Sequence, residues 1–383
     1  MNTQICLVSA QAAANLLPAL DDSLNVGHVV LVVTAQMREK AGYLQQVLSQ
    51  NKRKVTLHSL KDELNFRQMQ DELLELASQM EGQSVALNLT GGTKLMSAAA
   101  QSVAPTGGWR MFYVDINTDT IIWLNEETEN NGKADERQPL QQRLKLRHYL
   151  QSYGFALLQK PARPSATAAQ RQLTQTIVQQ AGALKDALTA LNGLAQKAES
   201  HGRLDVTMTE KHLRMNRLRA LIDHFAQAGV LTFSGSTLRF ASADDRSFVK
   251  GGWLELHTMD ALNQMHGPLG VRDKAIGLEV EDEKTKTKNE LDVAFMARNR
   301  LFIIECKTAR IDKPLAGQPP KANDTLFKLH GNCARTGLGA RGMLVSYRRL
   351  NEAEMKLADA LGIEVVAGSD IAQLPQKLKK WVG

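Results

Sequence analysis

Two acidic residues and a lysine near the C-terminus have the spacing of a catalytic group. Asp292 lies in one strand-like run, and Glu305 and Lys307 lie in the next, with a short turn expected near Arg298 and Asn299. A turn centred there pairs Asp292 with Glu305, and directly opposed side chains have Cβ atoms about 4.5–5.5 Å apart. Because side chains alternate along a strand, Lys307 falls on the same face as Glu305. The spacing therefore predicts two carboxylates and one ammonium in one place.

These three groups suit a divalent metal ion. Opposed carboxylates repel each other unless a cation lies between them, and Mg²⁺ or Mn²⁺ prefers oxygen ligands. Such an ion can activate water and stabilise charge on a phosphoryl oxygen. Lys307 could orient or deprotonate that water or stabilise negative charge, and the backbone carbonyl of Cys306 could add a ligand. The alternative is a surface ion-pair network, but residues 302–304 are too apolar for an exposed edge.

A second candidate site lies in the glycine-rich segment Asn88–Lys94, which follows a strand-like run and begins a helix. Glycines there let a ligand approach the backbone, and the N-terminus of a helix favours an anion. Thr90 and Thr93 add hydroxyls, and Lys94 adds charge. The spacing matches neither the Walker A loop nor Gly-x-Gly-x-x-Gly. A nucleotide phosphate that is not hydrolysed fits best, and an ordinary tight turn is the alternative.

The elements around this segment predict a Rossmann-like domain. Residues 1–125 alternate strand-like and helix-like runs, as in a doubly wound, mostly parallel sheet. Ligands bind such sheets beyond the carboxyl ends of the strands. Ser9, Gln11 and Thr34 follow other strands, so we expect them to border the same crevice. The polar, turn-rich residues 125–139 indicate the boundary of this domain.

The middle of the chain, residues 141–248, is predicted to be helical with a winged-helix-like end. Thr207 and Glu210 have capping-box spacing, which predicts a helix from there to about Gln227. Residues 234–236 (Ser-Gly-Ser) then indicate a hairpin. Two interpretations stay open: DNA contact by the basic helix, or a structural linker with a solvated basic face. The basic residues concerned are Lys211, Arg214, Arg217 and Arg219.

From residue 249 onward the pattern indicates an α/β domain with an early antiparallel meander. The basic segment Lys284–Lys288 precedes Asp292 and is interpreted either as a loop that holds a nucleic-acid backbone or as a solvated turn. The pair Arg348 and Arg349 is interpreted as solvated surface charge.

Composition sets outer limits on function. The net charge of +7 favours a polyanionic partner. No apolar run approaches the roughly 18–20 residues that span a bilayer, and the first residues do not have the pattern of a signal peptide, so a cytoplasmic protein is expected. The three cysteines, Cys6, Cys306 and Cys333, are far apart in the sequence. They indicate neither a structural zinc site nor a disulfide framework.

The C-terminal residues resemble the PD-(D/E)xK nuclease superfamily. The resemblance covers roughly residues 250–370 and is carried by Asp292, by residues 305–307 (Glu-Cys-Lys), and by Glu255 in the Gly-Gly-Trp-Leu-Glu run. It implies that Asp292 and Glu305 bind the metal, that Glu255 completes the metal shell, and that Lys307 assists the water. Leu291 stands where the superfamily usually has proline, a common departure that leaves the chemistry intact.

The whole chain is similar to CRISPR ancillary nucleases with an N-terminal CARF (CRISPR-associated Rossmann fold) sensor. The resemblance implies a homodimer that binds one cyclic oligoadenylate, often cyclic tetra-adenylate. It implies a sensor domain over residues 1–140, a linker over 141–248 and a nuclease domain over 249–383. The implied ligand-binding residues are Asn88, Thr90, Gly91, Gly92, Thr93 and Lys94, together with Ser9, Gln11 and Thr34.

Three hypotheses follow. The leading one is a metal-dependent nuclease of type III CRISPR antiviral defence, activated by cyclic oligoadenylate, which cuts single-stranded RNA or DNA or nicks duplex DNA. The second is a ligand-responsive transcription regulator that binds DNA through the middle region. The third is a constitutive nuclease whose N-terminal domain only dimerises.

Overall fold

The computed structural model describes residues 1–124, 136–159, 166–265, 270–308 and 321–383, without the side chain of Lys321. The chain divides into two compact units. Unit 1 comprises residues 1–158, 280–288 and 335–339, and unit 2 comprises residues 159–279, 289–334 and 340–383. Among the described helices, none is long and apolar enough to cross a membrane.

Unit 1 contains the predicted doubly wound sheet, whose strand order is β3-β2-β1-β4-β5-β6-β7. The first five of these strands are parallel neighbours, and β5, β6 and β7 are antiparallel. The elements are β1 Thr3–Leu7, α1 Ala12–Leu20, β2 His28–Val33, α2 Arg38–Gln50, β3 Lys54–Ser59, α3 Phe66–Gln79, β4 Val85–Asn88, α4 Lys94–Val103, β5 Arg110–Asp115, β6 Thr120–Leu124, β7 Glu136–Pro139, α5 Leu146–Ser152 and β8 Phe155–Leu157.

Burial explains the sequence of the central strands. β1 is buried at every position, and β2 is buried at all but its first, as expected of parallel strands covered on both faces. One of the helix layers packs α3 against α4, and α1, α2 and α5 pack together as another group. Strands β5 and β6 form an antiparallel hairpin after the alternating strands and helices. β7 was not predicted, and residues 125–135 of the expected boundary lie outside the described part of the chain.

Unit 2 begins with a helical and winged-helix part. Its elements are α6 Ala168–Gln179, α7 Ala181–Ser200, β9 Asp205–Thr207, α8 Glu210–Leu213, α9 Asn216–Gln227, β10 Leu231–Ser234, β11 Thr237–Phe240 and α10 Ala243–Ser247. The strands β10, β11 and β9 form an antiparallel sheet in that order. The predicted hairpin around Gly235 is therefore confirmed, and Gly229 follows α9 with a positive φ of 77°, which glycine accommodates easily.

The predicted capping box at Thr207 and Glu210 is wrong. Thr207 pairs with Thr237 in the small sheet, where a β-branched side chain fits well. Thr209 is the residue that caps the helix, and its backbone N–H donates to His212 Nδ1 at 3.3 Å. The single predicted helix is two helices, because Met215 has an extended conformation between α8 and α9.

The remainder of unit 2 is the C-terminal α/β part, with strand order β16-β15-β14-β13-β12. Its elements are α11 Trp253–Asn263, β12 Asp273–Asp282, β13 Lys288–Ala297, β14 Arg300–Lys307, α12 Lys321–Arg335, β15 Arg341–Ser346, α13 Glu352–Ala360, β16 Ile363–Ala367 and α14 Leu374–Val382. The last residues of β12, 280–282, belong to unit 1 and pair with β8.

Aromatic residues hold the central hairpin of this sheet. Phe295 and Phe302 stack with ring centroids 4.9 Å apart, and Trp381 of α14 packs edge-on against Phe302 at 4.9 Å. The sequence analysis made no prediction for α14, although Trp381 and Leu378 bury its apolar face. The N-terminal Rossmann-like sheet, the winged-helix-like middle and the C-terminal α/β domain are thus all confirmed.

Candidate functional site

The hairpin of β13 and β14 has the predicted register. Arg298 and Asn299 both have positive φ, 48° and 54°, as the two central residues of a type I′ turn require. Val293 pairs with Ile304, so Asp292 lies beside Glu305 at the next position. A slip of one residue would turn Asp292 to the opposite face of the sheet.

One ammonium group holds the two predicted acids. Lys307 Nζ lies 2.6 Å from Glu305 Oε1 and 3.5 Å from Asp292 Oδ2. Asp292 Oδ2 also accepts a hydrogen bond of 2.7 Å from the backbone N–H of Cys306. The carboxylates are 14% and 4% exposed at Asp292 and Glu305, and Lys307 is 30% exposed. The three groups therefore converge in a largely buried place, as the sequence predicts.

Glu255 of α11 belongs to the same cluster. Burial, with the neighbouring charge of Asp292, raises the pKa of Glu255 to about 8. Burial and the charge of Glu305 raise the pKa of Asp292 to about 6. Burial lowers the pKa of Lys307, but the charges of Asp292 and Glu305 outweigh that effect and raise it. Among the residues that the structure describes, the site therefore carries more acid than the Lys307 ammonium can balance, which is the electrostatic situation that a divalent cation relieves.

The donor chemistry fits a hard cation, although the side chains are drawn to the ammonium. Within the described ranges, no three His, Cys, Asp or Glu side chains already have the geometry of a metal site. The Cys306 thiol is buried and lies 3.6 Å from Thr258 Oγ1, so only the backbone carbonyl of Cys306 is considered as a ligand.

The sequence analysis missed two features of the site. Glu290 contributes charge that raises the pKa of both Glu255 and Asp292, and its spacing of two from Asp292 in β13 places it on the same face. Glu255 also lines a cavity of about 430 Å³ with Gly252 and Gly277. Strand alternation could have identified Glu290, whereas the cavity depends on contacts between distant segments.

Two contacts fix the beginning of the helix that carries Glu255. A Cβ atom on Gly251 would lie 2.5 Å from Thr308 Oγ1, so glycine is needed for this close approach. Thr308 in turn accepts a hydrogen bond of 3.0 Å from Asn192 of α7. Lys250 binds Glu199, also of α7, at 2.7 Å. Helix α7 thus positions both Glu255 and the end of β14.

The basic residues outside the cluster have other contacts. Lys284 pairs with Glu39 at 2.9 Å and Lys286 with Glu281 at 3.9 Å, which favours the turn interpretation of residues 284–288. The interpretation of Arg348 as a solvated charge is wrong. It is 6% exposed, and its Nη2 donates to Thr189 Oγ1 at 2.7 Å.

The second candidate site lies at the switch point of the sheet in unit 1. β1 and β4 are parallel neighbours, and the chain leaves them toward β2 on one side and β5 on the other. The loops after β1 and β4 therefore border a crevice, the usual ligand position in such sheets. A Cβ atom on Gly91 would collide with the carbonyl oxygen of Leu7, and Gly92 has a φ of 76°. These glycines let the loop lie directly against the end of β1.

The buried side chain of Asn88 holds this loop in place through hydrogen bonds. It is fully buried, and its Nδ2 donates to the carbonyl of Ala14 at 2.8 Å. Its Oδ1 accepts from the N–H and the hydroxyl of Thr90 at 3.0 and 2.7 Å. Thr90 Oγ1 also accepts from the N–H of Val114 at 2.7 Å. Asn88 and Thr90 therefore hold the loop in shape.

The other predicted ligand residues differ in exposure. Thr93 caps α4 by accepting from the N–H of Met96 at 3.2 Å, and Thr93 and Lys94 are exposed. Ser9 is partly exposed, and Thr34 is 3% exposed. Gln11 is also partly exposed, and its Oε1 accepts from the N–H of Leu338 at 3.3 Å.

Family models match both ends of the chain. Residues 3–149 match the Card1 CARF domain, and residues 242–383 match the Card1-like endonuclease domain. The chain thus has a CARF domain and an endonuclease domain of the Card1 type. This confirms the predicted combination of an N-terminal CARF domain with a C-terminal nuclease domain. No curated protein matches the sequence significantly.

Solved structures share the fold. Protein VC1899 from Vibrio cholerae is 24% identical with a TM-score of 0.88, covering 100% of this chain and 98% of its own. Can2 from Sulfobacillus thermosulfidooxidans, solved with cyclic tetra-adenylate, is 24% identical with a TM-score of 0.81 and complete coverage of both chains. A type III CRISPR defence DNA nuclease activated by cyclic oligoadenylate is 18% identical with a TM-score of 0.58, covering 91% of this chain and 46% of its own.

Replacing Glu255 by glutamine is expected to stabilise the protein in a chelating buffer. Below about pH 4.5, Glu255 is protonated in both the folded and the unfolded protein and costs no stability. Between about pH 4.5 and pH 8 the unfolded protein loses this proton while the folded protein keeps it, so the stability cost grows over that range. Each pKa unit corresponds to about 1.4 kcal/mol. The difference in unfolding temperature between Glu255→Gln and the unaltered protein should therefore widen from pH 5 to pH 8. The exposed Glu352→Gln serves as the control, and parallel curves for Glu255→Gln would contradict the assignment.

Replacing Asn88 by alanine is expected to destabilise unit 1. The change leaves the carbonyl of Ala14 and the N–H of Thr90 without their partner, and each buried unsatisfied group costs about 1–3 kcal/mol. Thermal unfolding followed by circular dichroism should show a clearly lower midpoint than for the exposed control Asn2→Ala. An unchanged midpoint would show that Asn88 does not support the loop.

Proposed function

We propose that the chain is a metal-dependent endonuclease that cyclic oligoadenylate activates in type III CRISPR antiviral defence. The observation that carries the nuclease half is the convergence of Asp292 and Glu305 on the ammonium of Lys307, with Glu255 near enough for the charge of Asp292 to raise its pKa. The observation that carries the sensor half is the glycine loop at the switch point of the CARF domain. The matched families and the relative solved with cyclic tetra-adenylate support joining the two halves.

In this proposal Asp292, Glu305, Glu255 and the carbonyl of Cys306 hold Mg²⁺ or Mn²⁺. The ion would supply charge stabilisation at a phosphoryl oxygen and a more acidic water. Lys307 must release Glu305 at least in part, and its ammonium then donates a hydrogen bond to the attacking water or to the phosphate. The cavity beside Glu255 has room for the sugar and phosphate next to the bond that is cut. The substrate class is single-stranded RNA or DNA, or duplex DNA that is nicked.

For the sensor, we propose that two chains form a homodimer around one cyclic oligoadenylate, with cyclic tetra-adenylate as the first candidate. Thr93, Lys94 and the backbone of Gly91 and Gly92 would contact phosphate, because they lie at the N-terminus of α4. Ser9, Gln11 and Thr34 would line the crevice. Asn88 and Thr90 would act by holding the loop, since their polar atoms already have partners within unit 1.

Glu305→Gln is expected to lower the cleavage rate by at least roughly a hundredfold, because a metal-binding charge is lost. Glu364 lies exposed on strand β16 of the same sheet, so Glu364→Gln is the matched control. Cleavage of labelled RNA and DNA would be measured with cyclic tetra-adenylate and either Mg²⁺ or Mn²⁺. A Glu305→Gln protein that is folded and fully active would refute the proposed metal site, and cleavage in a chelator would refute the requirement for metal.

Lys94→Ala is expected to weaken binding of cyclic tetra-adenylate by roughly tenfold, the loss of one charge-assisted contact. Isothermal titration calorimetry gives the affinity together with the stoichiometry, which should be one ring for two chains. Lys54 is the first residue of β3 and so lies at the amino end of the parallel strands, away from the loop that follows β4. Lys54→Ala should therefore bind cyclic tetra-adenylate normally. If the unaltered protein releases no heat with any cyclic oligoadenylate and cuts without one, the constitutive nuclease hypothesis replaces this proposal.

A further inference from the structure

The middle part of unit 2 has the topology of a winged helix. Helix α7 packs on α9, the short helix α8 precedes α9, and the strands β9, β10 and β11 form the small sheet beside them. Residues of this part share one hydrophobic core with the nuclease sheet, and Phe225 of α9 lies edge-on to Phe248 with ring centroids 6.1 Å apart. The proposed catalysis uses none of its exposed residues, so its outer surface has no assigned function.

Helix α9 separates a buried stripe from a polar face. At 100° per residue, its buried residues cluster on one side, and Asn216 and Ala220 point to the opposite side. Arg217 and Arg219 flank that outward line. Helices that enter the major groove use this distribution, in which amide or small residues face base edges and guanidinium groups face phosphates. The buried stripe consists of Leu218, Leu221, Ile222 and Phe225.

Other cations extend this face. Lys211 is exposed on α8, and Arg214 pairs with Glu210 in an exposed i,i+4 bridge of 3.2 Å. Exposed bridges of this kind contribute little to stability, so Arg214 can exchange its partner for a phosphate. Arg217 Nη1 donates to the carbonyl of Ala183 at 3.0 Å, which leaves other donors of its guanidinium available. Asp223 is the acid on the outward side of α9.

The hairpin of β10 and β11, which is the wing of the winged helix, also has a polar and basic outer face. Thr232 pairs with Arg239, and Ser234 pairs with Thr237, so these four side chains lie on one side of the hairpin. All four are exposed, whereas Leu231 and Leu238 of the same strands are buried. Hydroxyl and guanidinium groups are common phosphate contacts in protein–DNA complexes.

The winged helix is held directly to the nuclease strands. Asn192 of α7 donates to Thr308, the residue after Lys307, at 3.0 Å, and Glu199 of α7 binds Lys250 at 2.7 Å. Residues of both parts also belong to one hydrophobic core. A duplex on α9 would therefore have a fixed position relative to Glu305 and Lys307.

We propose that the winged-helix surface (Lys211, Arg214, Asn216, Arg217, Arg219 and Arg239) binds double-stranded DNA and anchors it beside the nuclease site. The anchoring role rests on the proposed function. The binding itself does not, because it can be measured without metal, activator or cleavage.

The test is fluorescence anisotropy of the full chain with a labelled 25-base-pair duplex in EDTA. Lys211→Glu/Arg219→Glu should weaken duplex binding roughly tenfold or more at low salt. The slope of log affinity against log salt concentration should become shallower by about one for each phosphate contact that is lost. Lys356→Glu/Lys379→Glu is the matched control, since both lysines are exposed in unit 2 and the net charge changes equally. The control should bind the duplex with an affinity within about twofold of the unaltered protein. This comparison separates the effect of local contacts from that of the electrostatic field of the whole protein.

The proposal would be overturned if both double variants weakened duplex binding equally, or if Lys211→Glu/Arg219→Glu did not weaken it. Tighter binding of a single-stranded RNA of the same length, with the same loss in Lys211→Glu/Arg219→Glu, would also overturn it. The milder variant Lys211→Ala/Arg219→Ala should also weaken duplex binding. It serves as a second test in case the glutamate variant misfolds, and circular dichroism checks that each variant is folded. Because binding is measured in EDTA without activator or cleavage, failure of the nuclease proposal would leave this result unchanged.

Discussion

The proposed nuclease site depends on an excess of buried acidic side chains over the one ammonium that contacts them, Lys307, among the described residues. Asp292, Glu305 and Glu255 lie close together, and Lys307 is the ammonium that contacts the first two. Burial disfavours the ionised forms of Glu255 and Asp292, and the charges of neighbouring acids make their ionisation harder still. The pKa of Glu255, about 8, is the result of both effects. The same surplus of acid that destabilises the fold would favour a divalent cation in the proposed mechanism, so stability and metal affinity would oppose each other at this position.

Local rules predicted this site because it is built from a hairpin. The register follows from a two-residue turn and from alternation, both of which are properties of adjacent residues. Arg298 and Asn299 adopt the positive φ values that the turn needs, and Asp292 therefore meets Glu305. The βα alternation likewise predicted the Rossmann-like sheet of unit 1, and the strand ends predicted the crevice beside the glycine loop.

Contacts between distant segments could not be predicted in the same way. Asn192 is separated from Thr308 by 116 residues, and no pattern in either segment indicates their hydrogen bond. Arg348 resembles a surface residue until α7 supplies its partner, Thr189. The cap at Thr209 instead of Thr207 shows a related limit. Both threonines are competent caps, and the pairing of Thr207 with Thr237 decides between them.

The two sites are held in different ways, and this affects how each can bind a charged ligand. The loop of Asn88 and Thr90 is formed by buried hydrogen bonds and by the close approach of Gly91 to Leu7, so it needs little ordering when an anion arrives. The carboxylates of unit 2 are instead held by an ammonium that must move before an ion can take their oxygens. A phosphate ligand can therefore bind the sensor loop with little rearrangement, whereas a metal ion must compete with Lys307. Lys307 is thus the residue whose contacts with Asp292 and Glu305 would have to change if these carboxylates held a metal ion.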